Sequence, residues 1–153
     1  MKRAFVSLVL LAIVLALSSC QSIDNFVVTN RSDAPIEVVY TFMRTSSSEI
    51  HVEKPQMMDA ANLKDTDRTW EAVPNDQYMI DSQAGKVRVR LAPGKALLLT
   101  SANNYQKESA EADVDFGISS LSIMGAKGSI KLEGRQARML FRYEEECHVI
   151  TYE

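Results

Sequence analysis

The chain has 153 residues, with 17 basic and 20 acidic side chains and a formal net charge of −3 at pH 7. That balance argues against nucleic acid as a partner, and the length leaves no room for two domains with cores of their own. Two cysteines, one of them within the first twenty residues, exclude a disulfide-stapled framework.

The first twenty residues follow an export pattern. Lys2 and Arg3 precede an apolar run over residues 4–16, which ends in Leu17-Ser18-Ser19-Cys20. A basic head, a short apolar stretch and small residues before a cleavage point are what signal peptidases act on. At about 1.5 Å per helical residue, residues 6–15 cover roughly half of a hydrocarbon layer, too little for a permanent span. An aliphatic residue, two small residues and a cysteine resemble the lipobox of bacterial prolipoproteins, and the resemblance covers residues 1–20. It implies cleavage before Cys20, a diacylglyceryl thioether on the Cys20 Sγ, and acylation of the new amino group. At about 0.8 kcal/mol per buried CH₂, two or three such chains hold a protein on a bilayer in practice permanently. The resemblance also implies a location. Gln21 stands where an aspartate tends to retain lipoproteins in the inner membrane of enteric-type hosts, which favours the outer membrane, facing the periplasm. The expected organisation is a cleaved signal peptide over residues 1–19, a lipidated cysteine and tether over residues 20–25, and one domain over residues 26–153. Loss of Lys2 and Arg3 with the signal leaves a net charge of about −5.

From Phe26 onward the dominant pattern is alternation with period two. Phe26-Val27-Val28-Thr29 predicts a first strand and Asn30-Arg31-Ser32-Asp33 a turn. Pro35 opens a strand running to Met43, in which Ile36, Val38, Tyr40 and Phe42 share one face. Residues 55–85 are weakly patterned. Met57, Met58, Ala60, Ala61 and Leu63 suit a helical turn or a packed loop, Trp70 and Ala72 a short strand, and Pro74-Asn75-Asp76 a turn. Lys86–Leu91 alternates cleanly, with Val87, Val89 and Leu91 on one face and Lys86, Arg88 and Arg90 on the other. Ala92-Pro93-Gly94 turns the chain, and the apolar residues 97–100 are expected to return as the partner strand. Phe116 and Ile118 are out of phase with Leu121 and Ile123, which requires a β-bulge near Ser119-Ser120. Gly125-Ala126-Lys127-Gly128 predicts a hairpin into residues 129–133. Residues 135–143 fit either a strand or a short helix burying Ala137, Leu140 and Phe141, and their helix-forming composition favours the helix. Residues 147–152 read as a final strand. Together these predict a mostly β, antiparallel, β-sandwich-like domain with one short helix.

The residues offer little chemistry. No Gly-x-Ser-x-Gly context is present, and His51 and His148 lack metal-site spacing. Met57 and Met58 are soft enough for Cu(I), but adjacent methionines read as packing. Asp65-Thr66-Asp67 has the alternate carboxylates of a calcium loop without the ligands that should follow, so it reads as a solvated loop. Glu144-Glu145-Glu146 suits a turn, and Cys147 a buried small hydrophobe. No catalytic residue, metal or cofactor is expected beyond the lipid on Cys20. The remaining feature is Lys86, Arg88 and Arg90, which form either an ordinary solvated sheet face or a candidate interaction face for anionic headgroups, lipopolysaccharide or an acidic partner. The expected function is a non-catalytic binding or assembly module of the cell envelope, partnered by the membrane through its lipid and by an envelope protein or polymer. The alternative is a lipoprotein inhibitor of an exogenous hydrolase such as lysozyme, presenting a loop to the active-site cleft.

Overall fold

Strict alternation over Lys86–Leu91 buries Val87, Val89 and Leu91 and leaves Lys86, Arg88 and Arg90 in solvent. That strand belongs to one of two packed sheets. The computed structural model describes residues 23–43, 52–65, 67–103 and 116–153. In chain order they form β1 (Ile23–Asn30), β2 (Ile36–Phe42), β3 (Gln56–Asp59), β4 (Glu71–Ala72), β5 (Tyr78–Asp81) and β6 (Lys86–Leu91). There follow β7 (Lys95–Asn103), β8 (Ile118–Gly125), β9 (Gly128–Glu133), a short helix α1 (Arg135–Leu140), β10 (Arg142–Glu144) and β11 (Cys147–Tyr152). Two 3-10 turns, Ala60–Lys64 and Asn75–Gln77, complete the described elements.

The first sheet has the order β10-β11-β1-β7-β3-β4 and the second β5-β6-β2-β8-β9. Every described pairing is antiparallel except β1 with β11, which run parallel. The sandwich expectation therefore holds, with one parallel pair at the centre of the first sheet. Between the sheets lie Phe26, Val38, Tyr40, Leu97, Leu121 and Ile123, all buried. Each such side chain contributes about 1.5–3 kcal/mol relative to its exposed state. Phe26, Phe116 and Phe141 pack edge-to-face with centroids 4.8, 5.2 and 5.6 Å apart, adding about 0.5–1.5 kcal/mol per pair.

Two departures from the sequence reading have clear causes. Residues 97–100 do not return beside β6. The turn at Ala92-Pro93-Gly94 carries the chain across to the first sheet, because both edges of β6 are already taken by β2 and β5. β7 is apolar on both faces since Leu97 and Leu99 enter the main core, while Ala96 and Leu98 join a second cluster outside the first sheet. In α1, Ala137 is buried and the following Phe141 enters the core, but Leu140 is exposed and Arg138 is buried instead. The buried stripe runs through positions 137, 138 and 141, and at about 100° per residue that leaves position 140 turned outward.

The predicted bulge is present. Thr41 faces Ser120 while Phe42 faces Ile118, leaving Ser119 as the extra residue, whose Oγ donates to the Thr41 carbonyl at 3.1 Å. Both Ile118 and Leu121 thereby stay inside. The Gly125–Gly128 hairpin also forms as expected, with Ala126 and Lys127 as its two loop residues.

The sandwich has two distinct ends. At the far end Asn30 is wholly buried, and its Nδ2 donates to the carbonyls of Ala34 (2.9 Å) and Leu91 (3.0 Å). Its Oδ1 accepts from the Ser32 amide (3.1 Å) and hydroxyl (2.7 Å), and its own carbonyl accepts from the Gly94 amide (2.8 Å). Nearby, Tyr152 Oη accepts from the Lys127 amide at 3.2 Å and donates to the Gly128 carbonyl at 3.1 Å, tying the β8–β9 hairpin to the first sheet. The near end is where β1 and β11 begin and β2 and β7 finish. There Ile23 faces Asn103, Asn25 faces Cys147, and the Met43 amide donates to the Gly117 carbonyl. β1 starts at Ile23, earlier than the expected Phe26, because Asn25 Oδ1 accepts from the Ser101 hydroxyl and Asp24 Oδ1 meets His148 Nε2 at 3.2 Å.

Candidate functional site

Lys86, Arg88 and Arg90 all project from the outer face of the second sheet, as the alternation requires. Their surroundings moderate their charge. Arg88 pairs with Glu37 at 3.3 Å, both partly in solvent, and Asp81 stands directly across from Lys86. Lys131 and Glu133 occupy the same outer face on β9, 3.2 Å apart. The registers place four positive groups, Lys86, Arg88, Arg90 and Lys131, against three negative ones, Glu37, Asp81 and Glu133. The face is thus a nearly neutral lattice of alternating charge, with Ser120 and Ser122 between, and exposed surface pairs of this kind contribute little to stability.

The outer faces of the two sheets are treated differently by the fold. That of the first sheet is covered: Leu63 and Met58 are buried against Val27, Ala96, Cys147 and Val149, with Ala60 and Trp70 packed alongside. That of the second sheet carries no covering element among the described residues, and Met79 and Met124 as well as the basic side chains reach solvent there.

Cys147 lies inside the covered cluster as a free thiol. Burial pushes the thiol up from its ordinary value; Arg68 pulls the other way and Glu146 adds to the rise. It therefore stays protonated and inert at neutral pH, the bland role expected of it. The neighbouring hairpin turn between β10 and β11 is less ordinary. Glu145 and Glu146 both adopt positive φ, 49° and 58°, a region that non-glycine residues seldom occupy. Arg68 spans the turn, donating to the carbonyls of Leu63 (2.7 Å) and Glu145 and lying 3.7 Å from the Glu146 carboxylate.

Met57 packs toward the main core and Met58 into the outer cluster, on opposite faces of β3, so the two sulfurs do not converge. Asp65 and Asp67 border a cavity of about 170 Å³ that also contains Arg68 and Lys95, with Lys95 Nζ 2.7 Å from Asp59. Among the described residues no group of three His, Cys, Asp or Glu side chains is arranged to hold an ion. His148 stacks on Phe26 at 4.6 Å and takes Tyr143 edge-on at 5.2 Å. His51, Thr66 and Cys20 lie outside the described residues.

A larger cavity, about 480 Å³, opens where β3 parts from β7. Gln56 faces Leu98, and beyond that pair Pro55, which has no amide hydrogen, ends the ladder. Tyr40 and Phe42 of the second sheet line the gap with Leu99 and Thr100. Neither this cavity nor the residues at the near end were legible as sites, because each is assembled from segments far apart in sequence. No protein-family model, curated protein or solved structure matches the chain.

Proposed function

We propose that this chain is a lipid-anchored protein of the bacterial cell envelope, acting as a non-catalytic binding or assembly module that offers the outer face of its second sheet to an envelope protein or polymer. The observation that carries the binding role is the asymmetry of the sandwich among the described residues: one outer face is roofed by Ala60, Leu63 and Trp70, the other is left open and bears Lys86, Arg88 and Arg90. The anchoring part rests on the lipobox-like Leu17-Ser18-Ser19-Cys20. In a Gram-negative host, Gln21 after the cysteine favours the outer membrane, facing the periplasm.

The two parts are tested separately. Cys20→Ser should release the protein from membranes that survive a high-salt wash, and continued sedimentation with them would end the anchor reading. Lys86, Arg88 and Arg90 changed together to Gln should leave the melting temperature nearly unchanged. The same variant should weaken crosslinking in intact cells to resident envelope proteins in a salt-sensitive way. A tight one-to-one complex with added lysozyme, in place of any resident partner, would replace this reading by that of a hydrolase inhibitor.

A further inference from the structure

We propose that the near end of the sandwich is a bilayer-contacting surface, with Ile23, Met139, Leu140 and Tyr143 entering the headgroup region of the membrane that holds the lipid on Cys20. The inference rests on the lipid-anchor reading and adds to it an orientation. Six large apolar side chains are exposed among the described residues, and four of them gather at this end: Ile23 (62%), Met139 (61%), Leu140 (52%) and Tyr143 (65%). Their grouping follows from contacts. Tyr143 packs on His148, whose Nε2 meets Asp24, the neighbour of Ile23. Met139 and Leu140 belong to α1, which is tied to this end on both sides: the Gly134 amide before it donates to the Ser119 carbonyl, and the Phe141 ring after it packs on Phe26 of β1.

The length of the tether commits the surface to one occupant. Only Gln21 and Ser22 separate Cys20 from Ile23, and three residue steps span at most about 11 Å. Any bilayer holding acyl chains on Cys20 is therefore within reach of Ile23 at all times, and a weak intrinsic affinity suffices for contact because the encounter is intramolecular. Aliphatic and tyrosine side chains beside a polar rim suit the headgroup boundary. Charge decides which lipids are needed. Arg142 is exposed beside Tyr143, but so are Glu144, Glu145 and Glu146, of which Glu146 meets Arg68, so among the described residues this rim is not basic. Contact is driven by apolar insertion and does not require anionic lipid.

The test uses the full chain purified from membranes and returned to phosphatidylcholine vesicles. Flotation with the vesicles reads the anchor. Met139→Trp and, as the control at the opposite end, Met124→Trp read the docking, each against the Trp70 signal of the parent chain. Phosphatidylcholine with brominated acyl chains should quench the added fluorescence at position 139 and leave that at position 124 unquenched, and circular dichroism checks that both variants keep the parent fold. Equal quenching at the two positions in a protein that floats overturns the docking surface and leaves the anchor standing. Failure of the chain to float overturns both.

Discussion

Asn30 satisfies both its amide donors and its amide oxygen without reaching solvent, and in doing so it joins the β1–β2 connection, the end of β6 and the turn into β7. In the sequence it reads only as the first residue of a turn, because the carbonyl of Leu91 that completes its network is 61 positions away. Asn30→Asp would set a carboxylate oxygen against two carbonyls at 2.9 and 3.0 Å. The expected loss is about 3–5 kcal/mol at pH 7, more than the loss of about 1–3 kcal/mol for Asn30→Ala. It should shrink on acidification as the new carboxyl takes up a proton. Urea unfolding of both variants at pH 7 and pH 4 checks the order. Gly125 illustrates a different constraint: its φ is unremarkable, but an added Cβ would stand 2.6 Å from Tyr152 Oη. Gly125→Ala must displace a buried ring and both of its hydrogen bonds, at about 1–3 kcal/mol, measurable by thermal denaturation.

At the scale of elements, legibility followed the number of buried faces. β6 could be read residue for residue because one face is core and the other solvent. The bulge at Ser119 was legible for the same reason, since a change of phase is visible against a strict alternation, whereas β11, with Cys147 and Val149 in the outer cluster and Ile150 and Tyr152 in the main core, showed only as an apolar, β-branched run. β7 was recognised as a strand but given the wrong neighbour: a run buried on both faces announces its burial and not the sheet it enters. β5, an edge strand with only Tyr78 and Ile80 packed inward, carried too weak a pattern to be seen. The open face of the second sheet was foreseen through Lys86, Arg88 and Arg90, whereas its compensating acids on β2, β5 and β9 were not, because register sets those neighbours. The β10–β11 turn was placed correctly at the three glutamates, with its left-handed backbone hidden. Hairpin loops with positive φ at both central residues favour Asn-Gly. Replacing Glu145-Glu146 by Asn-Gly should therefore stabilise the domain by about 1 kcal/mol, against a small loss of the Arg68–Glu146 pair, whose carboxylate lies in solvent. A thermal melt that moves downward would show that the glutamates are held there by something stronger than the turn.

For the molecule as a whole, stability should depend on alkali. Burial pushes the Tyr40 phenol well above its ordinary value of 10.0, so the folded chain keeps a proton that the unfolded chain releases near pH 10. The contribution is complete below that pH and falls as pH rises through it, by up to about 1.4 kcal/mol per unit. Cys147, also raised by burial, adds in the same sense. Tyr40→Phe should flatten the decline without abolishing it in urea titrations between pH 8 and 11, and an unchanged slope would remove Tyr40 from the account. A last consequence comes from the parallel pairing of β1 with β11, which joins Thr29 to Thr151 across 122 positions. In a chain threaded across a membrane from its N-terminus, β1 emerges first and must wait for the final strand before the centre of the first sheet exists. Such remote closure makes folding slow, since the loop entropy is lost before the contact forms. On the lipid-anchor proposal, processing at Cys20 would meet a chain whose first sheet is still open, and a chain that stalls before Cys147 emerges is left with the β11 edge of β1 open and Phe26 without its His148 stack. Under that proposal the fold would couple completion of transport to completion of structure, a truncated product keeping the β11 edge of β1 unpaired.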